Sequence, residues 1–230
     1  MNKHNKTRSN DFHVTSIVYG CVRRAIWERK AGTKPVLEDE KLYKPWIGTK
    51  LHETPITDGH EIGVKFKFGN QTLTGGIDEI LKFGDDYYII DKKFVWYVPR
   101  ETYPHHIEQM ATYASILFNA DEIYKLKGTE WKATKNKYKG IKFRGMILYY
   151  IDMVERDDDF RVHPYVHLLT DSDYDYYRQK IDSFLNECLE HYDDELPPNI
   201  FDKADWACKY CRFEEICKEE WKRNHNDVNS

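Results

Sequence analysis

A chain of 230 residues can bury a full core, and it is short enough that one domain with a small appendage is expected. A hydrophobic share of 40% with six Trp excludes global disorder, while 32% charged residues and a mean hydropathy of -0.77 give a heavily charged surface. With 35 basic against 39 acidic side chains, attraction to nucleic acid has to come from local clustering, and the absence of a long apolar run or a signal-like start points to a cytoplasmic protein without a membrane partner.

In chain order, Thr15 or Ser16 is positioned to cap a helix through Ile17, Cys21, Ala25 and Ile26 toward Lys30, with Gly32 to stop it. A short helix is expected over 46–52. Val64, Phe66 and Phe68 then alternate with lysines before the turn pair Gly69-Asn70, with a return strand through 73–81. Gly84-Asp85-Asp86 turns the chain into the aromatic and β-branched run Tyr87-Tyr88-Ile89-Ile90. Pro99 and Pro104 break the pattern before a helix carrying Ile107, Met110, Ala111, Ala114 and Leu117 at helical spacing. Residues 125–144 set seven lysines and Arg144 against a single acid, Glu130. That segment reads either as a phosphate-tracking stretch with Trp131 and Tyr138 stacking bases, or as a solvated insertion. Strands are expected over 146–154 and 162–169, and then a helix with Ile181, Phe184, Leu185, Cys188 and Leu189 on one stripe, ended by Pro197-Pro198. The order is mixed α/β.

Two carboxylates and a lysine carry the chemistry. Gly75-Gly76-Ile77-Asp78 falls on one predicted strand and Asp91-Lys92-Lys93 ends the next. Because side chains alternate along a strand, Asp91 and Lys93 share a face, while Lys92 turns away and offers its backbone carbonyl. Phosphodiester hydrolysis needs hard oxygen ligands for Mg²⁺ or Mn²⁺, an activated water, and positive charge for the developing phosphorane oxygens. Glycines ahead of Asp78 either admit a strand or metal closely or form a bulge. Gln109 and Tyr113, four residues apart, lie on one side of the following helix.

Five cysteines, an odd number in an expected cytosolic setting, argue for metal ligation over disulfides. Cys208-x2-Cys211-x5-Cys217 has metal-ligand spacing, and Cys21 is the candidate fourth ligand, since Cys188 falls on an apolar stripe. An all-thiolate site suits zinc or an iron-sulfur cluster, and spacing alone leaves the metal open.

Taken in order, His52, Gly75, Asp78, Asp91, Lys93, Gln109 and Tyr113 resemble the RecB-like nucleases of PD-(D/E)XK type, with their pattern of His, Gly-x-x-Asp, Asp/Glu-x-Lys and Gln-x3-Tyr. With one cysteine before and three after that pattern, the chain looks like the iron-sulfur branch, which includes CRISPR-associated Cas-four exonucleases and recombination nucleases. The resemblance implies a restriction-endonuclease-like core whose mixed central sheet is flanked by helices. It implies Mg²⁺ or Mn²⁺ held by His52, Asp78, Asp91 and the carbonyl of Lys92, with Lys93 at the attacking water and Gln109 and Tyr113 positioning substrate and lysine. It also implies a 4Fe-4S cluster on Cys21, Cys208, Cys211 and Cys217, a staple for a tail with little apolar anchorage. The expected segments are an N-terminal helical part (1–45), the nuclease core (46–170) and the C-terminal helix with the cysteine tail (171–230).

The implied activity is cleavage of single-stranded DNA ends, 5′ to 3′, with possible endonuclease action, beside CRISPR integration proteins in spacer acquisition. Recombination, repair or mobile-element replication is the rival setting. A non-catalytic iron-sulfur or zinc DNA-binding subunit is the rival class.

Overall fold

The computed structural model describes residues 11–31, 62–68, 71–127, 130–153, 161–200, 205–209 and 211–226. The predicted helix over 46–52, His52 itself and the Gly69-Asn70 turn lie outside the described residues.

The N-terminal helix is two helices. After strand β1 (Phe12–His13), α1 (Val14–Tyr19) has His13 rather than Thr15 or Ser16 at its N-cap position, without a side-chain capping bond, and closes at Gly20, whose φ of 64° is the left-handed turn that glycine adopts without penalty. The Gly20 N–H returns to the carbonyls of Ser16 and Ile17 at 3.0 Å. Cys21 follows in the break, and α2 (Val22–Ala31) begins after it.

Strands β2 (Ile62–Phe68) and β3 (Gln71–Ile77) pair antiparallel. The return strand expected through 73–81 is interrupted at Asp78, and β4 (Glu79–Phe83) belongs to a different sheet. It pairs with β5 (Asp86–Val95), placing Glu79 opposite Ile90. The Pro104 ring starts α3 (Pro104–Asn119), where its missing N–H costs nothing.

The lysine-rich segment is a hairpin, β6 (Glu122–Lys127) and β7 (Glu130–Lys135). Asn136 behind it is buried and caps α3, its Nδ2 donating to the carbonyls of Leu117 at 2.6 Å and Ala120 at 2.8 Å. That fold-back drives Tyr138 and Phe143 into the core, so Tyr138 is not available to stack a base.

Strands β8 (Gly145–Asp152) and β9 (Val162–Leu168) complete the second sheet, and α4 (Asp171–Glu190) follows, its first turn closed by the Thr170 N–H donating to Asp173 Oδ2 at 2.7 Å. Cys188 is fully buried on the α4 stripe as its neighbours suggest, whereas Leu189, expected beside it, is exposed. Short helix α5 (Asp205–Cys208) and α6 (Glu214–Asn226) form the tail.

Two mixed sheets result where one central sheet is expected: β1-β3-β2-β6-β7 and β4-β5-β8-β9, with parallel pairing at β1/β3 and β5/β8. Helix α3 contacts strands of both sheets and also packs on α1 and α4. One apolar core, from Phe12, Ile17 and Leu73 through Ile89, Ile116 and Leu117 to Leu148 and Leu185, runs between them. Asp78 therefore sits where the chain crosses from one sheet to the other, beside the central strand of the second.

Candidate active site

The crossing brings the carboxylates together. Asp78 Oδ2 accepts the backbone N–H of Lys92 at 2.8 Å, which ties the residue at the crossing to the strand bearing Asp91. Asp91 is 6% exposed, and Lys93, two residues on and on the same face, sets its Nζ 2.8 Å from Asp91 Oδ2.

The lysine is held from α3. Lys93 Nζ donates to Gln109 Oε1 at 3.1 Å, and Gln109 Nε2 donates to Tyr113 Oη at 3.3 Å. Burial pushes the Tyr113 phenol well above its usual range, with Asp91 and Asp78 adding to the rise, so the hydroxyl stays neutral. Gly75 makes room for this ring, because a Cβ there would lie 2.6 Å from Tyr113 Cε1. The need for glycine at 75 is thus close approach of an aromatic ring, a reason the sequence does not disclose.

Lys92 points away, as alternation requires. Its Nζ makes a 3.0 Å ion pair with Glu79 Oε1, with side-chain exposures of 2% and 1%.

Two histidines at the start of α3 escaped sequence reasoning. His106 Nδ1 lies 2.8 Å from Tyr150 Oη, which also accepts the Tyr103 N–H at 3.1 Å, and Tyr150 is the strand partner of Lys93. Burial, then the charge of Lys93, lowers the His106 pKa to about 3, and the same two causes lower His105. The spacing 106, 109, 113 is one helix face, and that signal was legible.

The donor set suits a hard cation. Two carboxylates beside a cationic side chain match Mg²⁺, which keeps several waters and takes one or two carboxylates from protein. Among the described residues no group of three or more His, Cys, Asp or Glu side chains is close enough to hold a metal ion by itself, and His52 lies outside them.

Cys21, Cys208, Cys211 and Cys217 all fall among the described residues and lie near one another, but they are not drawn together into a group that could hold a metal ion, so the expected iron-sulfur module is not shown. Burial first, then the proximity of Cys21, Cys211 and Cys217, raises the Cys208 thiol to about 11. Arg23, buried in α2, reaches across to the tail: Nη1 lies 3.5 Å from Cys217 Sγ, Nε donates to the Pro197 carbonyl at 2.7 Å, and the guanidinium pairs with Glu220.

Comparison with known proteins gives the superfamily. Residues 54–218 match the model of the PD-(D/E)XK nuclease superfamily, and the chain belongs to that superfamily, whose members hydrolyse phosphodiester bonds with divalent metal ions. A search among curated proteins found no match. Among solved structures it is similar to the crystal structure of SSO0001, at 18% identity and a TM-score of 0.49, covering 92% of this chain and 87% of that one. It is also similar to an alkaline exonuclease, LHK-Exo, from Laribacter hongkongensis, at 12% identity and a TM-score of 0.47, covering 80% and 91%. No helix among the described residues is long and apolar enough to cross a membrane.

Proposed function

We propose that the protein is a DNA exonuclease dependent on Mg²⁺ or Mn²⁺, acting on single-stranded ends from 5′ to 3′ with some endonuclease action, in CRISPR spacer acquisition alongside the integration proteins. The observation that carries the nuclease reading is the chain from Asp78 through the Lys92 N–H and Asp91–Lys93 to Gln109 and Tyr113. Strand polarity and the CRISPR setting rest on the sequence resemblance alone.

In this reading Asp78, Asp91, the Lys92 carbonyl and His52 hold the metal. When bound, such an ion polarises the phosphoryl oxygens and lowers the pKa of a bound water. Lys93 supplies fixed positive charge for the phosphorane oxygens and orients the attacking water. Gln109 keeps the lysine from swinging away, and the neutral Tyr113 anchors Gln109. The four cysteines 21, 208, 211 and 217 would carry a 4Fe-4S cluster that staples the tail to the start of α2. Support for the staple comes from their shared neighbourhood and from Arg23, which already bridges the same two segments.

Asp91→Ala is expected to abolish Mn²⁺-supported cleavage of end-labelled single strands while the melting temperature stays near that of the parent, and undiminished turnover would remove the assignment. Circular single strands tested in parallel separate end trimming from internal cutting. For the cluster, the purified protein should be brown, with visible absorption lost in Cys208→Ser. A colourless preparation with stoichiometric zinc would replace the cluster by a single ion.

A further inference from the structure

The segment 96–103 joins the strand that carries Asp91 and Lys93 to the helix that carries Gln109 and Tyr113. Its sequence, Trp96-Tyr97-Val98-Pro99-Arg100-Glu101-Thr102-Tyr103, places three aromatic residues within eight positions. A connection of this kind usually turns such rings inward, because each buries a large apolar area. Here Tyr97 stays out at 83% exposure, while Tyr103 at 43% and Trp96 at 41% are covered on one side and keep part of each ring at the surface.

The backbone beneath them is pinned. The Met153 N–H donates to the Val95 carbonyl at 2.8 Å, Tyr165 Oη to the Pro99 carbonyl at 2.7 Å, and the Tyr103 N–H to Tyr150 Oη at 3.1 Å. Thr102 Oγ1 and His167 Nε2 are 2.8 Å apart. Every one of these anchors leads back to β8, β9 or Met153 just after β8, so the loop is tied to the sheet holding Lys93. At its far end the Tyr103 ring stacks on His105 with centroids 5.5 Å apart and planes at 19°. Tyr150, which ties down Tyr103, is the register partner of Lys93 and points to the same face.

We propose that this loop is a base-stacking shelf that receives the nucleobases of a single DNA strand next to the phosphodiester at Asp78, Asp91 and Lys93, with Tyr97 as its foremost ring. The inference rests on the nuclease reading above and deepens it by naming what distinguishes a single strand from a duplex. Trp96 stands three residues beyond Lys93 and one past the end of β5, so the aromatic run begins roughly 10 Å along the chain from the lysine at about 3.3 Å per residue. Unpaired bases offer their faces to such rings; paired bases keep them inside the duplex. A pinned backbone also means that ordering the rings costs little when the strand arrives, which favours stacking over a loop that must first be immobilised. Lys93 beside the carboxylates and the exposed Arg100 within the loop are cations available to the phosphates that accompany those bases.

The test is fluorescence anisotropy of the full chain in EDTA, with a labelled oligothymidylate, an abasic strand of equal length and a blunt duplex as probes. Tyr97→Ala is expected to weaken oligothymidylate binding about tenfold, the loss that one base–aromatic stack carries, and to leave abasic-strand binding unchanged. Tyr97→Trp should retain binding, and because Tyr97 is so exposed neither change threatens the fold. Equal binding of oligothymidylate by wild type and Tyr97→Ala overturns the shelf, as does an equal loss on both strands. Dissociation of an oligomer by Tyr97→Ala, read by sedimentation with unchanged DNA binding, would make the patch a protein contact and likewise overturns it. Cleavage of oligothymidylate by the wild type in Mn²⁺ keeps the two readings apart. If cleavage persists while Tyr97→Ala changes nothing, only the shelf falls. If the wild type neither binds nor cuts single strands, the nuclease reading falls first and takes the shelf with it.

Discussion

Gly75→Ala adds one methyl group at the seam between the two halves of the site. The new Cβ would stand 2.6 Å from Tyr113 Cε1, 2.9 Å from the Tyr113 hydroxyl and 3.1 Å from Val14 Cγ2, so the ring has to retreat by several tenths of an ångström. It has nowhere to go, because Tyr113 is 3% exposed and its neighbours Ala111, Ala114 and Ile116 are as deeply buried. Overpacking of this kind costs about 1–3 kcal/mol, and at roughly 2–4 °C per kcal/mol for a chain of this size the melting temperature should fall by about 2–12 °C. Catalysis should fall further than stability does. The displaced hydroxyl carries Gln109 with it, and Gln109 is what holds Lys93 at 3.1 Å. A misplacement near 1 Å is worth roughly a hundredfold in rate, so about a tenfold loss of kcat is expected for half that shift. The assay is kcat on a single-stranded oligonucleotide in Mn²⁺ well below the melting transition, next to a thermal melt of the same preparation. A Gly75→Ala protein that melts and turns over like the parent would refute the claim that the Tyr113–Gln109 chain positions the lysine.

Two further outcomes follow from the buried charges. Lys92→Met should destabilise the fold by about 3–5 kcal/mol because it strands the Glu79 carboxylate in a dry site, and adding Glu79→Leu should recover most of that loss, both read from urea midpoints; a single variant as stable as the parent contradicts it. His106 gives a pH dependence. Its folded pKa near 3 lies below its ordinary 6.5, so between those values the unfolded chain takes up a proton that the folded chain refuses, and stability should decline as pH falls from about 6.5 toward 3. Urea midpoints across that range should show the decline, and His106→Phe should flatten it; an unaltered slope would mean that the histidine is not held neutral.

Much of this site was legible because its parts obey local periodicity. Asp91 and Lys93 share a face by strand alternation, and Gln109 and Tyr113 share one by helical spacing, whatever the rest of the chain does. The crossing at Asp78 was not legible. Residues 73–81 read as one continuous strand, and only the pairing of β3 with β2 and of β4 with β5 shows that the chain changes sheets there. Tyr138 was misjudged for a related reason: its lysine-rich surroundings suggest solvent, but Asn136 folds the segment back onto the end of α3. Gly20 hides a break because Ile17, Ala25 and Ile26 still fit one helical stripe across it. Each miss is a tertiary choice made between locally acceptable alternatives.

The pair Lys92-Lys93 shows how such a choice decides which side chains reach the candidate site. As free side chains the two are identical, and they differ only in which face of β5 they occupy. Lys92 is consumed by Glu79, a partner supplied by β4 through antiparallel pairing, while Lys93 keeps 21% of its side chain exposed between Asp91 and Gln109. A slip of β5 by one residue would exchange the two faces, turning Asp91 and Lys93 away from Gln109 and taking Lys92 from Glu79. The buried ion pair therefore acts as a register lock for the strand. The Asp78–Lys92 N–H bond locks the same register from the side of the crossing, since that N–H belongs to the residue immediately after Asp91. With the strand fixed twice, the carboxylates and the lysine occupy their places before any substrate arrives, which is the condition for electrostatic stabilisation without reorganisation at the moment of reaction.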